Sequence, residues 1–271
     1  MSYPVSVFIS YFDDLPVEQA ISLLSQAGFT YGELSIDHLN HPNPQALRTY
    51  IDDLGFTIPQ GHTSFHLGLC SQEGVDLIKR DLEMFQVLGI TKAVVHAAGG
   101  KNLPDEERYA RWVKYLGELS DFVDGTGITL CLENLFSNPL VNSADKLLQL
   151  IADAGDKNMA ICLDTGHLHL SNTNSGLEQS QGEFIRKAGD KLQALHIVDN
   201  DGLGDTHQMP YSARKGVDWV DVMQALRDID YKGLFNLECL AERRPPMPVK
   251  MAKLRFMLEM CRYMVSDEFL R

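Results

Sequence analysis

The sequence has no apolar run approaching the roughly 20 residues that a membrane span needs, no pair of cysteines at metal-finger spacing, and no excess of basic residues. Each absence excludes a class of protein. Without the long run, no transmembrane helix is expected. The five cysteines (70, 131, 162, 239 and 261) are odd in number and scattered, so neither a thiolate zinc site nor a disulfide framework is expected. Three of them lie in or beside apolar runs, where Cys packs as a small hydrophobe, and a reduced cytoplasmic compartment fits that usage. The stretch MSYPVSVFIS has no basic segment ahead of its apolar residues and does not read as a signal peptide. Lys and Arg number 24 against 37 Asp and Glu, a net charge of −13. That balance argues against a nucleic-acid partner, because phosphates need cationic side chains.

What the chain does have is a repeat. Short apolar runs end in an acid or a histidine: FTIPQGH at His62, VVH at His96, LCLE at Glu133, ICLD at Asp164, ALH at His196 and FNLE at Glu238. The steps are 34, 37, 31, 32 and 42 residues, about the length of a βα unit. Strands are predicted at 4–10, 31–36, 56–61, 90–96, 127–133, 158–164, 192–198 and 233–238. Helices are predicted from Pro16 to Gly28 and at 43–54, 72–88, 104–124, 143–154, 180–189, 218–229 and 248–265. Pro at a helix start and Gly at its end support several of these limits. Eight alternating units with no composition break predict a single (β/α)₈ TIM barrel over 1–271, its site at the C-terminal ends of the strands. The competing architecture, a doubly wound open sheet, would serve one switch point from a few strand ends. Two long loops are expected on the same face, 165–179 and 199–216.

Glu133, Asp164, His196 and Glu238 form the best metal set, one from each of strands five to eight. Three carboxylates and one imidazole suit one divalent ion: Mn²⁺, Mg²⁺, Co²⁺ or Zn²⁺. A single carboxylate would more often be a salt bridge or a cap, but four ligand-type residues at successive strand ends are better explained by one shared ion. His62, His96, His167, Asp205 and His207 form an outer group that touches substrate or holds further metal. His38, His41, His66 and His169 have no strand-end position and are read as surface or loop residues. Tyr11, Phe12, Phe65, Phe136 and Trp219 are candidates for a pocket wall or, equally, for core.

The runs LENL at 132–135, DTGH at 164–167, HIVDNDG and DTH between 196 and 207, GVDW at 216–219 and LEC at 237–239 together resemble the xylose isomerase-like barrel family. That family includes sugar isomerases and epimerases, inosose-type dehydratases and endonuclease IV-type AP endonucleases. The resemblance implies a divalent metal on Glu133, Asp164, His196 and Glu238, with Glu133 and Glu238 doubling as acid and base. It also implies that His167 binds a substrate oxygen. The expected reaction is removal of the proton beside a carbonyl through an enediolate, on a small sugar or polyol ketone. The alternatives are a dehydratase on the same scaffold, or a nuclease with three zinc ions held by all nine residues. One departure is visible. Ketose 3-epimerases of the family carry an arginine shortly after the strand-seven histidine, whereas this chain has Asn200, Asp201 and Gly202, with no arginine before Arg214; that counts against a free-ketose 3-epimerase. Lys215, Arg243 and Arg244 are the candidate phosphate contacts, with ordinary surface charge as the simpler reading. The last helix, rich in Met and aromatics, covers the barrel or joins a homo-oligomer.

Overall fold

Eight parallel strands follow one another around a barrel in the computed structural model, which describes residues 3–239 and 243–271. The strands are β1 (Val5–Phe8), β2 (Tyr31–Leu34), β3 (Thr57–His62), β4 (Lys92–Val95), β5 (Thr129–Glu133), β6 (Met159–Asp164), β7 (Leu192–His196) and β8 (Phe235–Leu237). They hydrogen-bond in the order β7-β6-β5-β4-β3-β2-β1-β8. A parallel bridge between Ile197 and Leu237 joins the two ends, so the barrel closes and the open-sheet alternative does not apply.

The helices are α1 (Val17–Ala27), α2 (Pro44–Asp53), α3 (Gln72–Leu88), α4 (Asp105–Phe122), α5 (Ala144–Asp153), α6 (Thr165–Ser175), α7 (Gln181–Ala188), α8 (Trp219–Asp228) and α9 (Met247–Met264). Local chemistry sets their ends. Helix α1 stops at Gly28, whose φ of 104° is a conformation that costs other residues energy. The side chain of Ser71 caps α3 by accepting from the amide of Gly74.

One expectation fails here. Residues 165–179 are not a long loop, because 165–175 form α6. The run LHLSNTNS has little apolar periodicity and several poor helix formers, so its sequence gave no helical signal. The helix starts because Asp164 caps it, accepting from His167 N at 2.5 Å. Gly166 lets the first turn sit against the segment after β7, where an added Cβ would fall 2.8 Å from Asn200 Nδ2. The 199–216 segment does lack helix and strand, apart from a bridge between Asp199 and Gln208. Strand one is also shorter than expected, since Ile9–Phe12 turn into a 3₁₀ helix.

The core lies between the barrel wall and the helices. Trp219, Tyr11 and Phe12 belong to it, fully buried, which settles their choice between core and pocket wall. All five cysteines are buried and none forms a disulfide. Trp112 of α4 is fully buried, and its indole N–H donates to Ala98 O at 3.0 Å. It therefore ties α4 to the loop after β4. Truncating Trp112 to Ala is expected to cost about 3–5 kcal/mol, readable as a lowered urea midpoint; an unchanged midpoint would show that this contact does not hold the loop.

Candidate active site

Interior positions alternate along each strand, so the residue at a strand's C-terminal end stands above an interior neighbour two places earlier. Below His96, Glu133, Asp164 and His196 those neighbours are small, whereas below His62 and Glu238 they are Gln60 and Asn236. Val94, Cys131, Ala160, Cys162 and Ala194 form a separate buried cluster inside the barrel. His62, Glu133, Asp164 and His196 are the last residues of their strands, and His96 and Glu238 follow theirs directly. The barrel thus brings together what lies up to 176 residues apart in sequence.

Glu133, Asp164, His196 and Glu238 each offer one ligand atom, all within 4.8 Å of one another, and all four residues are buried. Among the described residues, three of their buried atoms have no hydrogen-bond partner: Asp164 Oδ2, His196 Nδ1 and Glu238 Oε2. The last two lie 3.1 Å apart without hydrogen-bonding alignment. Unpaired buried polar atoms are costly, and three of them in one four-residue cluster fit a missing cation. Asn134 fixes Asp164 from both sides: its Oδ1 accepts from Asp164 N at 2.8 Å and its Nδ2 donates to Asp164 O at 3.0 Å.

The outer residues meet the same site. His62 Nε2 and His96 Nε2 are 3.0 Å apart, and His96 Nε2 is 2.8 Å from Glu133 Oε2. These three residues also bring ligand-type atoms within 4.8 Å of each other. On the far side, His167 Nε2 and His207 Nε2 each lie 3.3 Å from the same Asp205 Oδ2. His207 has φ of 44°, an uncommon conformation for a non-glycine residue, and its Nδ1 hydrogen-bonds Glu238 O at 3.0 Å. A cavity of about 460 Å³ opens above, lined by His62, His96, Glu133, His167, Asp205, His207 and Glu238. Asp164 and His196 sit at 0% exposure and are not among its lining residues. All nine predicted residues therefore converge on one place.

Several lining residues gave no sequence signal. Phe8, Ile36 and Leu135 join Phe65 and Phe136 on the cavity wall. Ser10 also lines it, with its Oγ buried and unpartnered. Lys101 lines it too, whereas Arg243 is held by Asp13 at 2.6 Å, and Lys215 and Arg244 are exposed away from the lining. No cation follows His196 closely: Asn200 turns back to Gly166 O, and Asp201 is exposed. His38 is not a surface residue. It is buried, with Nδ1 3.0 Å from Ser35 Oγ and Nε2 3.3 Å from Leu15 O. The most informative omission is Glu33, a fully buried carboxylate 3.1 Å from His196 Nε2. A Glu inside the apolar strand YGELSI was its one trace in the sequence.

The electrostatics follow from crowding charges in a dry space. Burial raises the Asp164 carboxyl to about 7, with Glu238 and Glu133 adding to the effect against His167. Burial opposes ionisation of Glu238 and Glu133 as well, but neighbouring histidines win. His196 and His207 hold Glu238 down at about 2, and His96 and His196 hold Glu133 well below its usual range. Burial lowers His96, and Glu133 only partly offsets it. For His62 the balance reverses, and Glu133 raises it. For His207, burial is outweighed by Asp205, Glu238 and Asp164, which bring it up to about 10.

A His with a raised pKa stabilises the fold fully below its unfolded value, about 6.5, and loses that contribution as pH climbs through the folded value. The metal-free protein is therefore expected to lose stability to urea between pH 6.5 and 10. His207→Gln should flatten that slope; an identical slope in the variant would assign the loss to other groups.

Comparison with known proteins gives a consistent pattern. A family described as xylose isomerase-like TIM barrel matches residues 21–260. D-psicose 3-epimerase of Agrobacterium fabrum (strain C58) is 26% identical over 236 residues, 80% of this chain and 77% of that protein. Fructoselysine 3-epimerase of Escherichia coli O157:H7 is 26% identical over 170 residues, 62% of this chain and 59% of that protein. The structure of D-psicose 3-epimerase with D-tagatose from Clostridium cellulolyticum H10 superposes with a TM-score of 0.82 at 19% identity, covering 98% of this chain and 100% of that one, a likeness of fold.

Proposed function

We propose that this chain, which belongs to the xylose isomerase-like TIM barrel family, is a divalent-metal-dependent epimerase that moves the proton beside the carbonyl of a keto sugar. The observation that carries this reading is the four-residue cluster with its three unpartnered buried atoms. Two of its members, Glu133 and Glu238, also line the cavity. The names of the three relatives given above, each a 3-epimerase, support the reaction class.

When bound, a divalent ion supplies Lewis acidity, which makes a proton next to a carbonyl removable. Glu133, Asp164, His196 Nδ1 and Glu238 would hold it. Everything else falls to the side chains. Glu133 and Glu238, kept ionised by their histidines, are the proton acceptors and donors; one takes the proton from one face of the substrate and the other returns it on the opposite face. His167 and His207, bridged by Asp205, bind hydroxyls on one wall, and Ser10 Oγ offers another partner. The apolar wall of Phe8, Ile36, Phe65, Leu135 and Phe136 excludes water and packs the less polar face of a sugar.

With no cation after His196, the substrate's far hydroxyls are not held as an arginine would hold them, so a keto sugar substituted at that end suits the apolar wall better than a bare ketose. The three-zinc nuclease reading has less support: the net charge is −13, and the relatives compared act on sugars by name.

Incubating the Mn²⁺-loaded protein in D₂O with D-fructose, L-ribulose and 3-keto-glucosides tests the proposal. The expected result is deuterium at the carbon beside the carbonyl, with the inverted sugar as product. Loss of water from the product would instead indicate the dehydratase, and absence of exchange across the set would contradict the proposal.

A further inference from the structure

An imidazole can give a metal only one of its nitrogens, and something must decide which. In His196 the two are treated differently. Nδ1 faces the metal cluster, 3.1 Å from Glu238 Oε2 and 3.4 Å from Glu133 Oε2. Nε2 faces the barrel interior, 3.1 Å from Glu33 Oε1. We propose that Glu33 is a positioning residue that keeps the ring proton of His196 on Nε2 and so leaves Nδ1 free to bind the metal. This rests on the metal-site reading above.

The surroundings of Glu33 admit little else. It sits on β2 at 0% exposure. Its Oε2 accepts from Gln60 Nε2 at 3.1 Å and from Asn236 Nδ2. Asn236 is itself oriented by Ser6 Oγ, which donates to its Oδ1 at 2.7 Å, and Gln60 also reaches Leu195 O at 3.4 Å. Residues of β1, β2, β3, β7 and β8 thus clamp one carboxylate against one ring nitrogen. Gln60 and Asn236 both donate to one oxygen, which leaves the other directed at the His196 ring. Among the described residues its ion-pair partner is His196 alone.

A fully buried carboxylate without Lys or Arg is costly, even with donors on both sides. Its charge is useful if a cation lies beyond the ring: a carboxylate behind a ligating histidine fixes the tautomer and strengthens the nitrogen as a donor. Without Glu33, no carboxylate faces Nε2 to hold the ring proton there, and a proton on Nδ1 blocks the ligand position.

The test compares wild type, Glu33→Gln and Glu33→Ala by calorimetric titration with Mn²⁺, and by the ¹H–¹⁵N signal of His196 Nε2–H in the Zn²⁺-loaded protein. Wild type is expected to bind Mn²⁺ and to show a slowly exchanging Nε2–H. The Ala variant should bind about 10–100-fold more weakly and lose that signal. The Gln variant, whose carbonyl still accepts but carries no charge, should keep the signal and lose less affinity. Its new N–H₂ group faces the donors of Gln60 and Asn236, whose side-chain amides can turn their oxygens toward it, so its metal-free thermal midpoint should stay close to wild type, which separates positioning from folding. If the Ala variant does not fold, the Gln variant decides: reduced affinity supports the inference. Wild-type affinity in the Gln variant, or in a folded Ala variant, overturns it while leaving the metal site standing. Failure of wild type itself to bind Mn²⁺ overturns the metal-site reading and this inference together.

Discussion

Replacing Glu133 or Glu238 by glutamine is expected to lower epimerisation by at least about 10²–10⁴-fold, the usual worth of positioned proton transfer. The substitution keeps volume and polarity and removes the basic oxygen. The two sites are not equivalent in their surroundings. Glu133 sits among His62, His96, His167 and His196, with Oε1 3.0 Å from His167 Nδ1 and Oε2 2.8 Å from His96 Nε2. Among the described residues, the Glu238 carboxylate pairs with His196 and His207 only, the latter at 3.7 Å. Glu238→Gln should therefore disturb the site less and report more purely on the lost base. Because both residues also belong to the metal cluster, Mn²⁺ occupancy must be measured alongside the rate. Occupied variants that no longer invert the sugar would place the defect in proton transfer; full activity in either variant contradicts the assignment.

Asp164→Asn is expected to weaken metal binding by more than the roughly 10–100-fold typical of outer-shell partners, because it removes a charge from the ligand set. Asparagine caps helices about as well as aspartate, so the start of α6 should survive and metal-free stability should not fall. The pKa direction adds a second signature. With the Asp164 carboxyl raised to about 7 in the metal-free protein, a metal must displace its proton below that pH. Affinity should rise with pH through about 7, and on above it because His196, raised by its acidic neighbours against the effect of burial, must also release a proton, by about tenfold per pH unit for each proton released. Titration in two buffers of different ionisation enthalpy counts those protons. A pH-independent affinity in wild type would show that Asp164 is not a competing proton site.

The strand-end residues were legible in the sequence because a parallel barrel writes its site with one spacing: a ligand-type residue at each strand's end, one βα unit apart. Glu133, Asp164 and His196 could be placed from that rule alone. The rule fails for residues that act from within a strand, and Glu33 is the clearest case, since an interior Glu differs from a surface one only in which way the pleat turns. It fails also for the cavity wall. Trp219 and Phe136 looked alike as aromatics beside motifs, yet one packs in the core and the other lines the pocket. Helix α6 was hidden for a third reason: its start depends on the Asp164 side chain and on close packing at Gly166, not on any apolar stripe.

The measurement that tests the central claim most directly is an anomalous difference map from crystals soaked in Mn²⁺. The account predicts one peak, about 2.0–2.3 Å from oxygens of Glu133, Asp164 and Glu238 and from Nδ1 of His196, with Nε2 still directed at Glu33. Three peaks spread over His62, His96, His167, Asp205 and His207, or no peak at the four-residue cluster, would contradict it.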